Sequence, residues 1–387
     1  MSKQRRVAVM IDLDWPFKRH MDVFAGCQEY SAEVDWQCTV NPYAERAMKS
    51  RRAKGPYDGV LGRVTRQLAD KARRAEVPVV NVWVNSPARN VPSVFPDAEA
   101  AGVMAARHLM GRGFRQFGYL GYARDMYSQL ELEGFRSAIE AEGFSCSVHR
   151  FARSHLGTGA TGWDKFISSL EAWIDTYPTP IGIYGTQDLL SRYLIDACRL
   201  KGLRVPRDVA VISGGNEGVI CASPPPTITS IDLGYAKVGY QAAALLDRLM
   251  DGEKPPDGPQ WLAPAELIPR QSTDSYAVDD PMVARALRFI AEHSHEPMKV
   301  DDVVAVTPTT RRSLERRFQS TMRRSIAEEI ARLRLERAKR RLVESDEPLK
   351  NVAWASGFSS LNHFYRAFVR LEGISPKVYR QQRRKDS

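Results

Sequence analysis

The chain has 387 residues, 43% of them hydrophobic and 26% charged, and a formal net charge of +10. That length exceeds one ordinary hydrophobic core, and that composition excludes a disordered or collagen-like chain. Residues 281–387 hold 23 Lys and Arg against 13 Asp and Glu, so the whole excess lies there and residues 1–280 are neutral; a polyanion is the expected partner of the basic segment.

From Val7 onward short apolar runs alternate with amphipathic ones. Strands are expected at Val7–Ile11, Gly59–Leu61, Val79–Trp83, Phe117–Leu120, Val148–Phe151, Ile181–Tyr184 and Val209–Ile212. Between them come helices at Phe24–Ala32, Arg66–Ala75, Ala98–Met110, Gly134–Glu142, Trp163–Asp175, Leu189–Lys201 and Tyr235–Met250. Such alternation implies parallel sheets covered on both faces, and about 270 residues of it imply two lobes rather than one sheet. The five cysteines are scattered without Cys-x-x-Cys spacing, which fits reduced thiols better than disulfides or zinc. No stretch approaches membrane-spanning length, and the N-terminus runs into a strand rather than a signal peptide, so a cytoplasmic, nucleoid-associated protein is expected.

Ligands of parallel α/β sheets bind at the carboxyl ends of strands. There the sequence places Asp12, Asp14 and Trp15, then Tyr127 and Ser128, Gln187, and Asn216 and Glu217. Carboxylates, amides and hydroxyls beside aromatic rings suit a polyhydroxylated ligand. The same residue types also cap helices and form turns; Asp97 and Asp188 look cap-like. Gly157–Gly162 matches G-x-G-x-x-G, but it sits mid-domain with no acidic residue at the required offset, and reads as a connecting loop. No P-loop, His-Glu-x-x-His or Gly-x-Ser-x-Gly occurs, so no catalytic residue, metal site or cofactor is expected.

Val209–Ile212 with Asn216-Glu217, Pro224–Pro226, Ile228–Ile231, Val238–Ala243 and the closing Ala263-Pro264 to Thr273 together resemble the LacI/GalR-type sensor. The resemblance covers residues 5–274 and implies two periplasmic-binding-protein-like α/β lobes with a sugar between them. It departs from the pattern in lacking the N-terminal headpiece. It also has Gly214-Gly215 where an acidic ligand contact usually precedes the asparagine.

Gln271–Asp280 is short and polar, as a linker would be. A helix from Met282 to Ile290 follows, then a short one at Val300–Val304, a turn at Thr307–Thr309, and a basic helix opened by Thr310. Leu314 and Phe318 lie four apart and would be buried, which turns Arg311, Arg312 and Arg316 outward. Helix, turn and helix recur at Asn351–Ala355, Ser356–Phe358 and Ser359–Arg370, where Ser359 is the expected cap. There Phe364 and Phe368 repeat the buried spacing, and Ser360, Asn362, His363 and Arg366 face out. A long helix over Ser325–Glu344 would set the spacing of the two units, so that both meet one side of a DNA duplex. Arg can pair bidentately with guanine and Asn with adenine; Arg323, Arg324, Arg340, Arg341 and Lys377 are placed for phosphates or water.

Leu333–Lys339, Val352–Phe368 and Gly373–Arg380 closely resemble the AraC/XylS DNA-binding domain over about residues 282–381. The expected architecture is therefore a two-lobed α/β sensor (1–274), a linker (275–281) and an all-α domain with two helix-turn-helix units (282–387; units at about 300–319 and 348–370). A sensor of the one type joined to a reader of the other is similar to XylR-like regulators. The resemblance implies a DNA-binding transcriptional regulator, dimeric and in contact with operator DNA and RNA polymerase. Its implied effector is a small sugar, xylose or a related pentose. The competing readings are a two-lobed sugar-modifying enzyme and an architectural DNA binder without ligand control.

Overall fold

The structure, a computed structural model, describes residues 4–13, 18–48, 55–152, 159–278 and 280–385. The first lobe holds a parallel sheet in the order β2-β1-β3-β4, from β1 (Arg6–Met10), β2 (Gln37–Val40), β3 (Gly59–Gly62) and β4 (Val79–Asn81). Its helices are α1 (Lys18–Glu33), α2 (Ala44–Ala47) and α3 (Arg66–Ala75). Val7, Val9, Leu61 and Val80 are buried with Val23 and Cys27 of α1, as runs of Val and Leu in a doubly covered sheet require.

After β5 (Val94–Pro96) the chain crosses to the second lobe through α4 (Ala98–Gly111). The second lobe adds β6 (Phe117–Tyr122), α5 (Met126–Glu140), β7 (Cys146–Phe151), α6 (Ala160–Ile174), β8 (Ile181–Gly185), α7 (Asp188–Leu200), β9 (Val209–Gly214), α8 (Gly218–Ala222) and β10 (Thr229–Asp232). The chain then returns to the first lobe as α9 (Tyr235–Met250) and β11 (Gln260–Leu262), which pairs with β5, and crosses back as β12 (Glu266–Ile268). The larger sheet runs β12-β10-β9-β8-β6-β7, with β12 alone antiparallel to its neighbour. Three crossings join the lobes, so the carboxyl ends of both sheets face one cleft.

Helices α4 and α5 touch backbone to backbone. A Cβ on Gly102 would lie 2.1 Å from the Glu131 carbonyl oxygen, and one on Gly134 would lie 2.0 Å from that of Glu99. Only glycine admits that approach.

A 3-10 turn (Gln271–Thr273) leads to seven helices: α10 (Pro281–His293), α11 (Val300–Ala305), α12 (Arg311–Met322), α13 (Ile326–Glu344), α14 (Leu349–Ala355), α15 (Leu361–Glu372) and α16 (Pro376–Lys385). Two cores result. Val283, Leu287, Ile290, Val303, Leu314 and Phe318 pack with Ile326 and Ile330 of α13, while Leu335, Ala338 and Leu342 of the same helix pack with Val352, Phe358, Phe364 and Phe368. One helix thus serves both helix-turn-helix units, as its apolar spacing predicts. Ser325 caps it reciprocally with Glu328.

Several expectations shift. The second recognition helix is capped by Ser360, whose hydroxyl accepts from the His363 amide, not by Ser359. Asp97 does cap α4. Asp188 does not cap: its carboxylate lies buried and accepts from Ser213 and Ser230 hydroxyls and the Glu217 amide, tying β8, β9 and β10 together. Of the glycine-rich motif, residues 157–158 lie outside the described residues, and Ala160–Gly162 form the first turn of α6 rather than a loop.

Gly357 sits at the turn of the second unit with φ +85°, and an added Cβ would lie 2.4 Å from the Ser294 carbonyl oxygen. Gly357→Ala is therefore expected to cost about 1–3 kcal/mol, read as a lowered denaturation midpoint with an unchanged slope; an unchanged midpoint would refute the steric account.

Candidate functional site

Between the lobes lies a cavity of about 310 Å³. The first lobe contributes Arg19 and His20 from α1, Arg63 just after β3, and Trp83 and Asn85 just after β4. The second contributes Tyr122, Arg124 and Asp125 after β6, Tyr127 from α5, Thr186 and Gln187 after β8, and Tyr235 at the start of α9. Each arrives because a strand ends at the cleft and the next helix starts there. Asp125 caps α5 by accepting from the Ser128 amide at 3.0 Å, and it also accepts from Asn85 Nδ2 at 3.2 Å. Asn85 Oδ1 in turn accepts from the Met126 amide at 2.7 Å. These bonds bridge the lobes. Lys18 adds a second bridge, its amide donating to Glu217 at 2.7 Å.

Aromatic groups line the wall: the Arg63 guanidinium stacks 4.4 Å over the Trp83 ring, and the Tyr122 hydroxyl donates to Gln187 Oε1 at 2.9 Å. Beneath the Thr186 wall lies Glu131, fully buried. It accepts from the Tyr184 hydroxyl at 2.6 Å and from Tyr119 and Thr186. Burial raises its pKa, the hydroxyls only partly oppose that, and it is pushed up to about 8.

A second constellation occupies the basic segment. Thr310 caps α12 by accepting from the Ser313 amide, and Arg312 and Arg316 stand exposed on its outer face over buried Leu314 and Phe318. On α15, Asn362, His363 and Arg366 are exposed over buried Phe364 and Phe368. The two outer faces belong to units held by one helix, an arrangement suited to successive turns of a major groove.

The two constellations are joined by a buried polar cluster. Glu329 of α13, fully buried, accepts from Arg324 and from Arg332 at 2.8 and 3.0 Å. Arg324 also donates to the Gly111 carbonyl at the end of α4 at 3.1 Å, and Arg115 donates to the Thr321 carbonyl at 3.3 Å. On the sensor side, Arg112 donates to the Thr273 carbonyl at 2.6 Å, and His108 meets the Thr273 hydroxyl at 2.8 Å. Burial and the nearby Arg112 and Arg332 hold the His108 ring neutral, well below its usual range.

Residues 106–273 match the family model for a periplasmic binding protein-like domain, and residues 303–382 match a helix-turn-helix domain. The xylose operon regulatory protein of Escherichia coli strain K12 is 27% identical over 390 residues, 98% of this chain and 97% of the relative. The protein of the same name from Haemophilus influenzae is 28% identical over 75% of this chain and 74% of its own. Among solved structures, that of the xylose-binding transcription activator xylR superposes with a TM-score of 0.60 at 25% identity, covering 98% of this chain and 99% of that one. The chain is similar to XylR-type transcriptional regulators along nearly its whole length. It carries a two-lobed sensor and an AraC-type helix-turn-helix reader, and these relatives are regulators rather than enzymes.

Of the sensor residues singled out from the sequence, Tyr127 and Gln187 line the regulator's cavity, and Glu217 lines a smaller adjoining one. Asp14 and Trp15 lie outside the described residues. Three others stand apart from the cavity. Asp12 is exposed and offers its carbonyl to His20. Ser128 is buried, bonding the Tyr119 hydroxyl and the Tyr122 amide. Asn216 (φ +54°) holds Asp232 and Arg270. Sequence reasoning missed Arg19, Arg63, Trp83, Asn85 and Arg124. Arg63 and Arg124 follow expected strands by two to four positions, the same signal that had singled out the others. In the reader, Arg311 is engaged by Asp301 and Glu315 at 2.8 and 2.9 Å. Arg324 belongs to the buried junction rather than to a phosphate-facing surface, and Arg341 pairs with Glu347. The Arg340 side chain lies outside the described residues.

Proposed function

We propose that residues 1–274 form a sensor, 275–281 a linker and 282–387 a reader of operator DNA, and that a monosaccharide-sized effector in the cleft controls when the reader engages. A cavity of about 310 Å³ is at the small end of ligand pockets and fits one sugar unit. The names of the relatives point to xylose or a related pentose. The observation that carries the reading is the bridging of the cavity by both lobes, together with the buried junction from α4 to α13. Effector binding would shift the equilibrium between lobe arrangements by its differential affinity for them, and α4 would carry the shift to the reader.

Base-edge contacts fall to Arg312 and Arg316 in the first unit and to Asn362, His363 and Arg366 in the second, with Thr310 and Ser360 at the helix N-termini near phosphates. Arg311 would first have to leave Asp301 and Glu315. A homodimer on repeated half-sites, in contact with RNA polymerase on the nucleoid, completes the proposal.

Replacing Arg312 with Ala is expected to weaken operator binding by about 1–3 kcal/mol and to relax preference at one base position. Gel-shift titration on operator and on random DNA decides it: equal loss on both would reassign Arg312 to the backbone. A melting-shift screen against pentoses and hexoses tests the sensor, and a sensor stabilised by none of them would leave an architectural DNA binder as the better account.

A further inference from the structure

Resting on the effector-sensor reading above, a series of hydrogen bonds outside the cavity runs from the lobe–lobe contact to the reader. It begins where the lobes meet. Asn216 and Glu217 follow β9 in the second lobe, and Glu217 accepts the Lys18 amide of the first. The Lys18 ammonium also stands 3.6 Å from Asp232 at the end of β10, and Asp232 accepts from Asn216 Nδ2 at 3.1 Å. A change in lobe arrangement that moves Lys18 therefore acts on Asn216 as well as on Glu217.

Asn216 has φ +54°, and its amide donates to Ser230 Oγ at 3.0 Å. Its Oδ1 accepts from Arg270 at 2.7 Å, and Arg270 also donates to the Ile228 carbonyl at 2.7 Å. Arg270 stands directly before the 3-10 turn by which the polypeptide leaves the sensor. Both of its backbone groups meet the Thr229 hydroxyl of β10, the amide donating at 2.8 Å and the carbonyl accepting at 3.0 Å. Thr229 Oγ1 lies 2.7 Å from Thr273 Oγ1, which in turn lies 2.8 Å from His108 Nε2.

With the His108 ring neutral, the protons of this series have one arrangement. Arg112 can only donate, so His108 Nδ1 accepts from it at 3.2 Å and Nε2 carries the ring proton. His108 then donates to Thr273, Thr273 to Thr229, and Thr229 to the Arg270 carbonyl, each hydroxyl giving its single proton once. Thr229 and Thr273 are wholly buried, so a link withdrawn at either end leaves a buried polar group unpaired. The far end touches the reader's approach. The Arg112 carbonyl accepts the Ala277 amide at 2.9 Å, and its neighbour Gly111 accepts from Arg324.

We propose that Asn216, Arg270, Thr229, Thr273 and His108 form a relay that ties the Lys18 bridge between the lobes to the Gly111–Arg112 junction with the reader. Asn216 is then a positioning residue of the switch rather than a sugar contact. The relay enters the end of α4 from the last crossing between the lobes, so that crossing and α4 report one lobe arrangement together.

The test uses the full-length protein, with D-xylose, L-arabinose, D-ribose and D-glucose as probes. Calorimetric titration finds which sugar binds, and hydrogen exchange then reads residues 274–278 and 324–332 with and without it. In the parent, saturating sugar should change exchange there by a factor of about five or more. Two variants cut the relay: Asn216→Gly, which tolerates the positive φ, and Thr273→Val, which removes one hydroxyl. Both should bind the sugar within about threefold of the parent yet lose the junction response, and Thr273→Ser should restore it. Variants that bind the sugar and keep the full response would overturn the relay and leave the sensor reading intact. A parent that binds the sugar with no change at the junction would do the same. Binding of none of the four would overturn the effector reading and the relay with it. A loss of sugar affinity that follows a lowered melting temperature in all three variants would make these residues packing of the sensor and overturn their role in the switch.

Discussion

Replacing Glu131 with glutamine is expected to abolish the fall in stability that this one carboxyl imposes as pH rises from about 5 to 8. Glu131 is fully buried under the Thr186 wall of the cavity, and burial is the dominant influence on it. The Thr186, Tyr184 and Tyr119 hydroxyls lower its pKa only in part, and it stands at about 8 against an ordinary 4.5. The folded protein therefore keeps this carboxyl protonated at neutral pH, while the unfolded chain ionises it. A folded pKa above the unfolded one contributes stability that is complete below about pH 4.5 and disappears as pH climbs through 8. The span is worth on the order of 4–5 kcal/mol. Glutamine is neutral throughout and nearly isosteric, so it does not follow that slope. Urea denaturation of both proteins at pH 5, 6, 7 and 8 measures it. The difference between them should grow with pH, the variant gaining relative to the parent, and contributions from His108 and the other histidines cancel in the subtraction. Parallel curves would show that Glu131 is ionised in the fold.

The alternation of strands and helices was legible because doubly covered parallel strands are written as short apolar runs. Val7–Ile11 and Ile181–Tyr184 bury nearly every residue and could be nothing else. The two helix-turn-helix units were equally plain, since Leu314 with Phe318 and Phe364 with Phe368 mark buried faces by spacing alone. Less legible were β2 (Gln37–Val40), largely exposed at a sheet edge, and α16, whose sequence is almost wholly polar. Strand ends pointed to the right cleft but did not separate ligand-facing groups from packing groups. Ser128 and Tyr127 are adjacent, yet one bonds Tyr119 inside the lobe and the other faces the cavity; which of two neighbours looks outward depends on the rotation of α5, fixed by its glycine contact with α4. The junction was invisible for a different reason. Its members come from three stretches far apart in sequence, Gly111 with Arg112, Thr273, and Arg324 with Glu329, and an arginine bound to a buried carboxylate reads the same as one waiting for a phosphate.

That junction supplies the other large effect. Glu329→Ala is expected to destabilise the protein by about 3 kcal/mol, because it leaves the Arg324 and Arg332 guanidiniums facing a partly buried site without their counter-charge. The figure sits at the low end for buried pairs because those side chains keep 23% and 31% of their exposure. Burial alone would raise the Glu329 pKa, but Arg332 and Arg324 outweigh it and hold the carboxyl below its ordinary range. A depressed carboxyl pKa contributes stability above about pH 4.5 that is lost as pH falls, so acid should loosen the junction in the parent and change the variant little. The cluster also decides whether sensor and reader behave as one body. Arg324, in the turn just before α13, reaches to the last carbonyl of α4, and α4 runs from there back to Asp97, whose amide donates to Leu262 of the first lobe at 2.7 Å. Along its length α4 presses on α5, which carries Tyr127 into the cavity. If this rod transmits lobe movement, scanning calorimetry should show sensor and reader unfolding together in the parent and as two separate transitions in Glu329→Ala, and an effector should raise only the first of them. A variant that unfolds in a single transition at the parental temperature would mean that the junction is a surface contact and that control of the reader runs elsewhere.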